Sequence, residues 1–176
     1  MKIQVAGITP ESVVDGPGIR LVIFTQGCPH HCPGCHNPQT HDPAGGNAMA
    51  VKDIQAVIEN TKLIRGVTFS GGEPFLQPEP LVMLAEYIHG LGLDIVCYSG
   101  FYFEQLLERG KKIPAVSELL AKIDILIDGP YVAAERDTRL AFRGSANQRL
   151  IDVVESLRLG QVVLWEDPAA VITINS

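Results

Sequence analysis

Gly66-Val67-Thr68-Phe69-Ser70, then Leu81, Leu84, Ala85, Ile88 and Leu91 at helical spacing, then Ile95-Val96-Cys97-Tyr98, read as strand, helix, strand. The outer runs are short and apolar, while the leucines and their neighbours between them recur every three or four residues, as one buried helix face requires. A unit of this kind joins parallel strands by a right-handed crossover. The pattern extends in both directions. Residues 21–25 form an earlier apolar run, and Val51, Ile54, Val57 and Ile58 make an amphipathic face between it and Gly66. Downstream, Phe103, Leu106 and Leu107 and then Val116, Leu119 and Leu120 supply helical faces, with Pro114 as a break between them. Residues 123–128, 150–154 and 162–165 look like further strands. The expectation is an α/β fold with a sheet of about six mostly parallel strands, apolar on both faces. A complete eight-stranded barrel takes about 250 residues. A chain of 176 residues is therefore expected to form only a partial, open (β/α) barrel with an accessible mouth.

Composition narrows the class. The chain is 46% hydrophobic, its length suits one domain spanning residues 1–176, and no repeat or linker interrupts it. No basic leader and no apolar run of about 20 residues is present, so a cytoplasmic protein without a membrane partner is expected. A net charge of −6 argues against a nucleic-acid partner, because no global basic field draws phosphate.

Three of the four cysteines, Cys28, Cys32 and Cys35, fall within eight positions directly after the strand at 21–25. Mutual disulfides would leave one unpaired, so the cluster reads as metal chemistry in a reducing compartment. The loop runs Gly27-Cys28-Pro29-His30-His31-Cys32-Pro33-Gly34-Cys35-His36-Asn37-Pro38. Its thiolates can serve an iron–sulfur cluster, which takes four ligands and would keep one iron open. A zinc site completed by His30, His31, His36 or His41 is the alternative from spacing alone. Cys97 lies in an apolar strand and reads as a small core hydrophobe. At the end of the strand at Gly66 stands Ser70-Gly71-Gly72-Glu73-Pro74. Its glycines admit a ligand close to the backbone, and its carbonyls or the Glu73 carboxylate can accept from an ammonium.

The cysteine loop and the Gly71-Gly72-Glu73 segment together resemble the radical S-adenosylmethionine superfamily, each motif lying where that fold places it. The resemblance implies a 4Fe-4S cluster on Cys28, Cys32 and Cys35, and S-adenosyl-L-methionine held at Gly71, Gly72 and Glu73. Gly34 stands where the superfamily often carries an aromatic beside the adenine, so His36 is expected to take over that packing. Ser99 and Asp128, at the ends of neighbouring strands, are further expected cofactor contacts.

Val14-Asp15-Gly16-Pro17-Gly18-Ile19-Arg20 resembles the lead-in of the glycyl-radical activating enzymes. Ile127-Asp128-Gly129-Pro130-Tyr131 and Phe142-Arg143-Gly144-Ser145-Ala146-Asn147-Gln148-Arg149 are similar to the anaerobic ribonucleoside-triphosphate reductase activating family. Without that likeness the second segment is a polar loop whose Ser145 and Asn147 cap local backbone. With it, Arg143 becomes a carboxylate binder. The resemblance implies cleavage of S-adenosylmethionine to a 5'-deoxyadenosyl radical and installation of a glycyl radical on anaerobic ribonucleotide reductase. A flavodoxin- or ferredoxin-like protein would donate the electron. The competing readings are activation of another glycyl-radical enzyme, such as pyruvate formate-lyase, and a non-catalytic zinc or iron–sulfur protein.

Overall fold

The computed structural model describes residues 1–167. Strands β1 (Lys2–Ser12), β2 (Arg20–Thr25), β3 (Asn47–Ala50), β4 (Gly66–Gly71), β5 (Asp94–Tyr98), β6 (Ile125–Asp128) and β7 (Arg149–Asp152) form one sheet in the order β3-β1-β2-β4-β5-β6-β7. Helices α1 (Val51–Asn60), α2 (Pro78–Gly90), α3 (Phe103–Gly110), α4 (Pro114–Leu120) and α5 (Val153–Leu159) complete the regular structure. The sheet is parallel only in its middle, where β2, β4, β5 and β6 run side by side. Both flanks are antiparallel: β1 against β2 and β3, and β7 against β6.

Side chains alternate across a strand, and the two faces have different cover. Leu21, Ile23, Val67, Phe69, Ile95, Cys97 and Leu126 point to the helices and join the main core with Ile54, Leu84, Leu106 and Leu119. Each such side chain taken fully out of water adds about 1.5–3 kcal/mol. Cys97 is fully buried there, and burial pushes its thiol well above the ordinary range, as expected of a small hydrophobe. The opposite face carries a smaller apolar group, Val96, Ile125 and Ile127, with Tyr98, Leu150 and Trp165 against it. Arg20, Thr68 and Ser70 share this face by register. The expectation of strands apolar on both faces therefore fails at these polar positions.

Seven strands rather than about six are present among the described residues, and the differences have physical causes. β1 was not anticipated because only Ile3 and Val5 of its first residues reach the core, too few to mark a strand period. β3 lies just past a Pro/Gly-rich loop and is an edge strand with little burial. The run at 150–154 ends as a strand at Asp152, whose side chain accepts from Glu155 N at 2.9 Å. That N-cap starts α5. The run at 162–165 follows the outer edge of β7 through Asp152 N to Val163 O and Trp165 N to Leu150 O, with one bridge, Ile151 to Leu164. Pro114, read as a break, occupies the first turn of α4, where its missing N–H costs nothing.

Candidate active site

The loops after β2, β4, β5 and β6 gather at the carboxyl edge of the parallel strands, where ligands of α/β sheets bind. There Cys28, Cys32 and Cys35, all reduced and half-buried, line one cavity of about 150 Å³ together with Gly71, Gly72, Ser99 and Tyr131. The cysteine loop is tied down by its own return segment: Gly27 N donates to Thr40 O at 2.8 Å and Cys28 N to His41 O at 3.1 Å. Gln26 Nε2 donates to the carbonyls of Gln39 and Asp42. Burial pushes the Cys28 thiol up and the charge of Glu73 adds to this, while the backbone at His30 and His31 pulls it back. Among the described residues no three His, Cys, Asp or Glu side chains converge to hold a single metal ion. His30 is committed to Glu73, and His31 and His41 face each other across 3.3 Å.

The glycine-rich loop is packed against the cysteine loop by backbone. Gly72 N donates to Thr25 O at 2.7 Å and Glu73 N to Gly27 O at 2.8 Å. Gly71 has φ +91°, a left-handed conformation suited to glycine, and a Cβ at Gly72 would lie 2.3 Å from Gly27 O. Gly72→Val should therefore displace the backbone immediately before Cys28. We expect cluster occupancy and cofactor affinity to fall together, each by at least about ten-fold, as read from iron content and cofactor titration. Full iron content with lost affinity would mean that the two loops move independently.

The Glu73 carboxylate is not among the groups that line the cavity. It is fully buried and accepts from Phe75 N at 3.0 Å, Ser99 Oγ at 3.0 Å, Gly100 N at 2.9 Å and His30 Nε2 at 3.0 Å. No lone pair is left over for an ammonium. Asp128, the other carboxylate at this edge, is engaged in the same way. It ends β6 at the expected edge but is fully buried, accepting from Phe103 N at 2.8 Å and pairing with Arg149. The pair draws the Arg149 guanidinium up. Asp128 lines neither this cavity nor its larger neighbour.

That neighbour, of about 660 Å³, extends over the sheet face from Asp15 and Phe24 past Ser70 and Tyr98 to His36 and Arg143. His36 borders both cavities and packs on Tyr131 with ring centroids 5.2 Å apart. Arg143 Nη1 donates to Gln148 O at 2.8 Å, while its buried Nε has no partner. The rest of that segment caps local backbone. Gln148 Oε1 accepts from Gly144 N and Ser145 N, Ser145 Oγ accepts from Val132 N, and Asn147 Nδ2 donates to Pro130 O. Sequence reasoning gave no separate role to Tyr131 or Phe24; an aromatic at a strand end or in a loop has no local pattern that points to a cavity.

Three reduced thiols in one loop, packed on a glycine-rich loop at the carboxyl edge of parallel strands, are a donor set of the kind that iron–sulfur proteins use. A family model described as "4Fe-4S single cluster domain" matches residues 14–151. The anaerobic ribonucleoside-triphosphate reductase-activating protein of Salmonella typhi is 34% identical over 158 residues, 85% of this chain and 96% of that protein. Its counterpart in Escherichia coli K12 is 32% identical over the same shares, and that of Enterobacteria phage T4 is 31% identical over 81% and 90%. A solved structure, QueE from Escherichia coli, superposes with a TM-score of 0.47 at 18% identity over 92% of each chain. The chain belongs to the 4Fe-4S single cluster domain family and to the anaerobic ribonucleoside-triphosphate reductase-activating proteins.

Proposed function

We propose that this chain holds a 4Fe-4S cluster through Cys28, Cys32 and Cys35, binds S-adenosyl-L-methionine beside it, and installs a glycyl radical on anaerobic ribonucleotide reductase. The whole chain acts as one domain, an open partial (β/α) barrel. The observation that carries this reading is that all three thiols and the Gly71-Gly72 backbone line one cavity, which shares His36, Ser70 and Tyr98 with a larger one. The donor set fits the group: thiolates ligate iron, and three of them leave one iron open. When bound, the cluster supplies the electron that cleaves S-adenosylmethionine to methionine and a 5'-deoxyadenosyl radical.

The remaining roles fall to this chain's own groups. With the Glu73 and Asp128 carboxylates engaged, the Gly71 and Gly72 backbone would receive the cofactor's ammonium. His36 and Tyr131 would pack the adenine. The unpartnered Nε–H of Arg143 would meet a carboxylate or carbonyl. Tyr98 donates its hydroxyl hydrogen to Phe142 O at 2.6 Å, which withdraws a stray hydrogen donor from the cavity wall. The larger cavity would admit the glycine-bearing loop of the reductase. A flavodoxin- or ferredoxin-like protein would supply the electron in the cytoplasm, with no part for nucleic acid or membrane. Among the described residues no helix is long and apolar enough to cross a membrane.

After anaerobic reconstitution we expect iron and sulfide near the ratio of one four-iron cluster per chain. With S-adenosylmethionine and a reductant, the anaerobic ribonucleotide reductase of the same genome should show the paramagnetic doublet of a glycyl radical. Zinc in place of iron would remove the reading altogether. A doublet on pyruvate formate-lyase but never on the reductase would reassign the partner and keep the chemistry.

A further inference from the structure

His30 stands between Cys28 and Cys32, and its Nε2 lies 3.0 Å from Oε2 of Glu73. Oε2 already accepts from Gly100 N, and with the ring hydrogen on Nε2 the imidazole donates this bond. The ring is held from another side by Phe101, edge-on with centroids 4.5 Å apart at 71°, and the Arg109 guanidinium lies 4.4 Å over the Phe101 ring. Gly100 makes the approach possible, since a Cβ there would sit 2.3 Å from His30 Cδ2. The Gly100 N–H donates to the same carboxylate oxygen as His30. Three carboxyl-edge loops thus meet on one buried carboxylate: the cysteine loop through His30, the glycine-rich loop through Phe75 N, and the loop after β5 through Ser99 and Gly100.

We propose that His30 is a positioning residue that clamps the segment between the first two cysteines to Glu73, so that the cluster loop and the S-adenosylmethionine loop are held as one unit. The proposal rests on the assignment of the shared cavity to these two groups. His30 supplies no bond to iron. It acts by fixing where Cys28 and Cys32 stand relative to Gly71 and Gly72. Groups that orient a ligand from behind commonly change metal affinity or activity by about 10–100-fold when removed, so the effect is expected to be measurable while the three thiolates remain.

The test uses the full chain, reconstituted anaerobically, as wild type, His30→Ala, His30→Gln and Gly100→Ala. The readouts are iron per chain, the paramagnetic spectrum of the reduced cluster with and without S-adenosylmethionine, and cofactor affinity from that spectral change. His30→Ala should retain its iron but bind S-adenosylmethionine about ten-fold more weakly, with a broadened cluster signal. His30→Gln keeps a donor and should recover most of the affinity and the narrow signal. Gly100→Ala keeps the imidazole but drives it off Glu73, and should reproduce the loss even if His30→Ala does not fold. Unchanged affinity and spectrum in His30→Ala would overturn the clamp. Loss of iron in His30→Ala without recovery in His30→Gln would overturn it in favour of ligation by His30. A wild-type chain with no cluster signal would overturn the site assignment itself, which separates that failure from failure of the clamp.

Discussion

Replacement of any one of Cys28, Cys32 or Cys35 by alanine is expected to abolish cluster retention and, with it, cleavage of S-adenosylmethionine. The three thiols line a common cavity and are all unpaired. The His30 imidazole is engaged with Glu73 and that of His31 with His41; His36 borders the cavity, but an imidazole is a harder ligand than the thiolate an iron–sulfur cluster selects. Removing a group that merely orients a ligand costs about 10–100-fold in metal affinity; removing a ligand should exceed this. Iron content and the signal of the reduced cluster measure the loss. Cys97→Ala is the control. Its side chain is fully buried in the helix-facing core, so the variant should keep its cluster and lose only about 1 kcal/mol of stability from the small cavity. Retention of the cluster by a variant lacking one clustered cysteine, together with its loss in Cys97→Ala, would reverse the ligand assignment.

Arg20→Leu is expected to cost about 2–4 kcal/mol of folding stability, a large share of the roughly 5–15 kcal/mol a domain possesses. Arg20 is fully buried. Its Nε donates to Thr68 Oγ1 at 2.8 Å, Nη1 to Pro17 O at 3.1 Å, and Nη2 to Val67 O at 2.9 Å and Asp94 O at 3.1 Å. The Asp94 carboxylate stands 2.6 Å from Nη1. Burial draws the guanidinium down from its ordinary value and Asp94 draws it back. Leucine would strand three carbonyls. The Asp94 side chain is partly exposed and also meets Arg65, so it can recover water, which keeps the cost below that of a fully buried orphan charge. Arg20 begins β2 and pairs in register with Gly66, at the edge opposite the cysteines. The motif that resembles an activating-enzyme lead-in thus divides into a structural half, Arg20, and a half that reaches the larger cavity through Asp15. Urea unfolding of both forms in the same cluster state should show a lower midpoint at unchanged slope. A change below about 1 kcal/mol would show that these bonds are replaced by water.

The middle of the sheet was legible because β2, β4, β5 and β6 are largely buried on both sides and each keeps a core of consecutive apolar residues, even though Arg20, Thr68 and Ser70 interrupt one face. The cysteine spacing was legible because adjacent thiols in one loop need no tertiary contact to be recognised. The edges were not. β1 and β3 are antiparallel strands with mixed exposure, and such strands are defined by the partner they pair with more than by their own residues. The end of β7 was misread because the apolar Val153 belongs equally to a strand or to a helix, and the Asp152 cap decides between them.

Composition and local pattern sufficed for the α/β class, the order of the central elements, the three clustered thiols and the glycine-rich loop beside them, since each depends on residues close in the chain. The direction of individual carboxylates did not follow from it. Glu73 and Asp128 stand at strand ends where a cofactor contact was expected, yet His30 and Arg149, 43 and 21 residues away, turn both inward. A buried carboxylate must collect donors from whatever the fold brings within about 3 Å, and only the packed chain determines which donors those are.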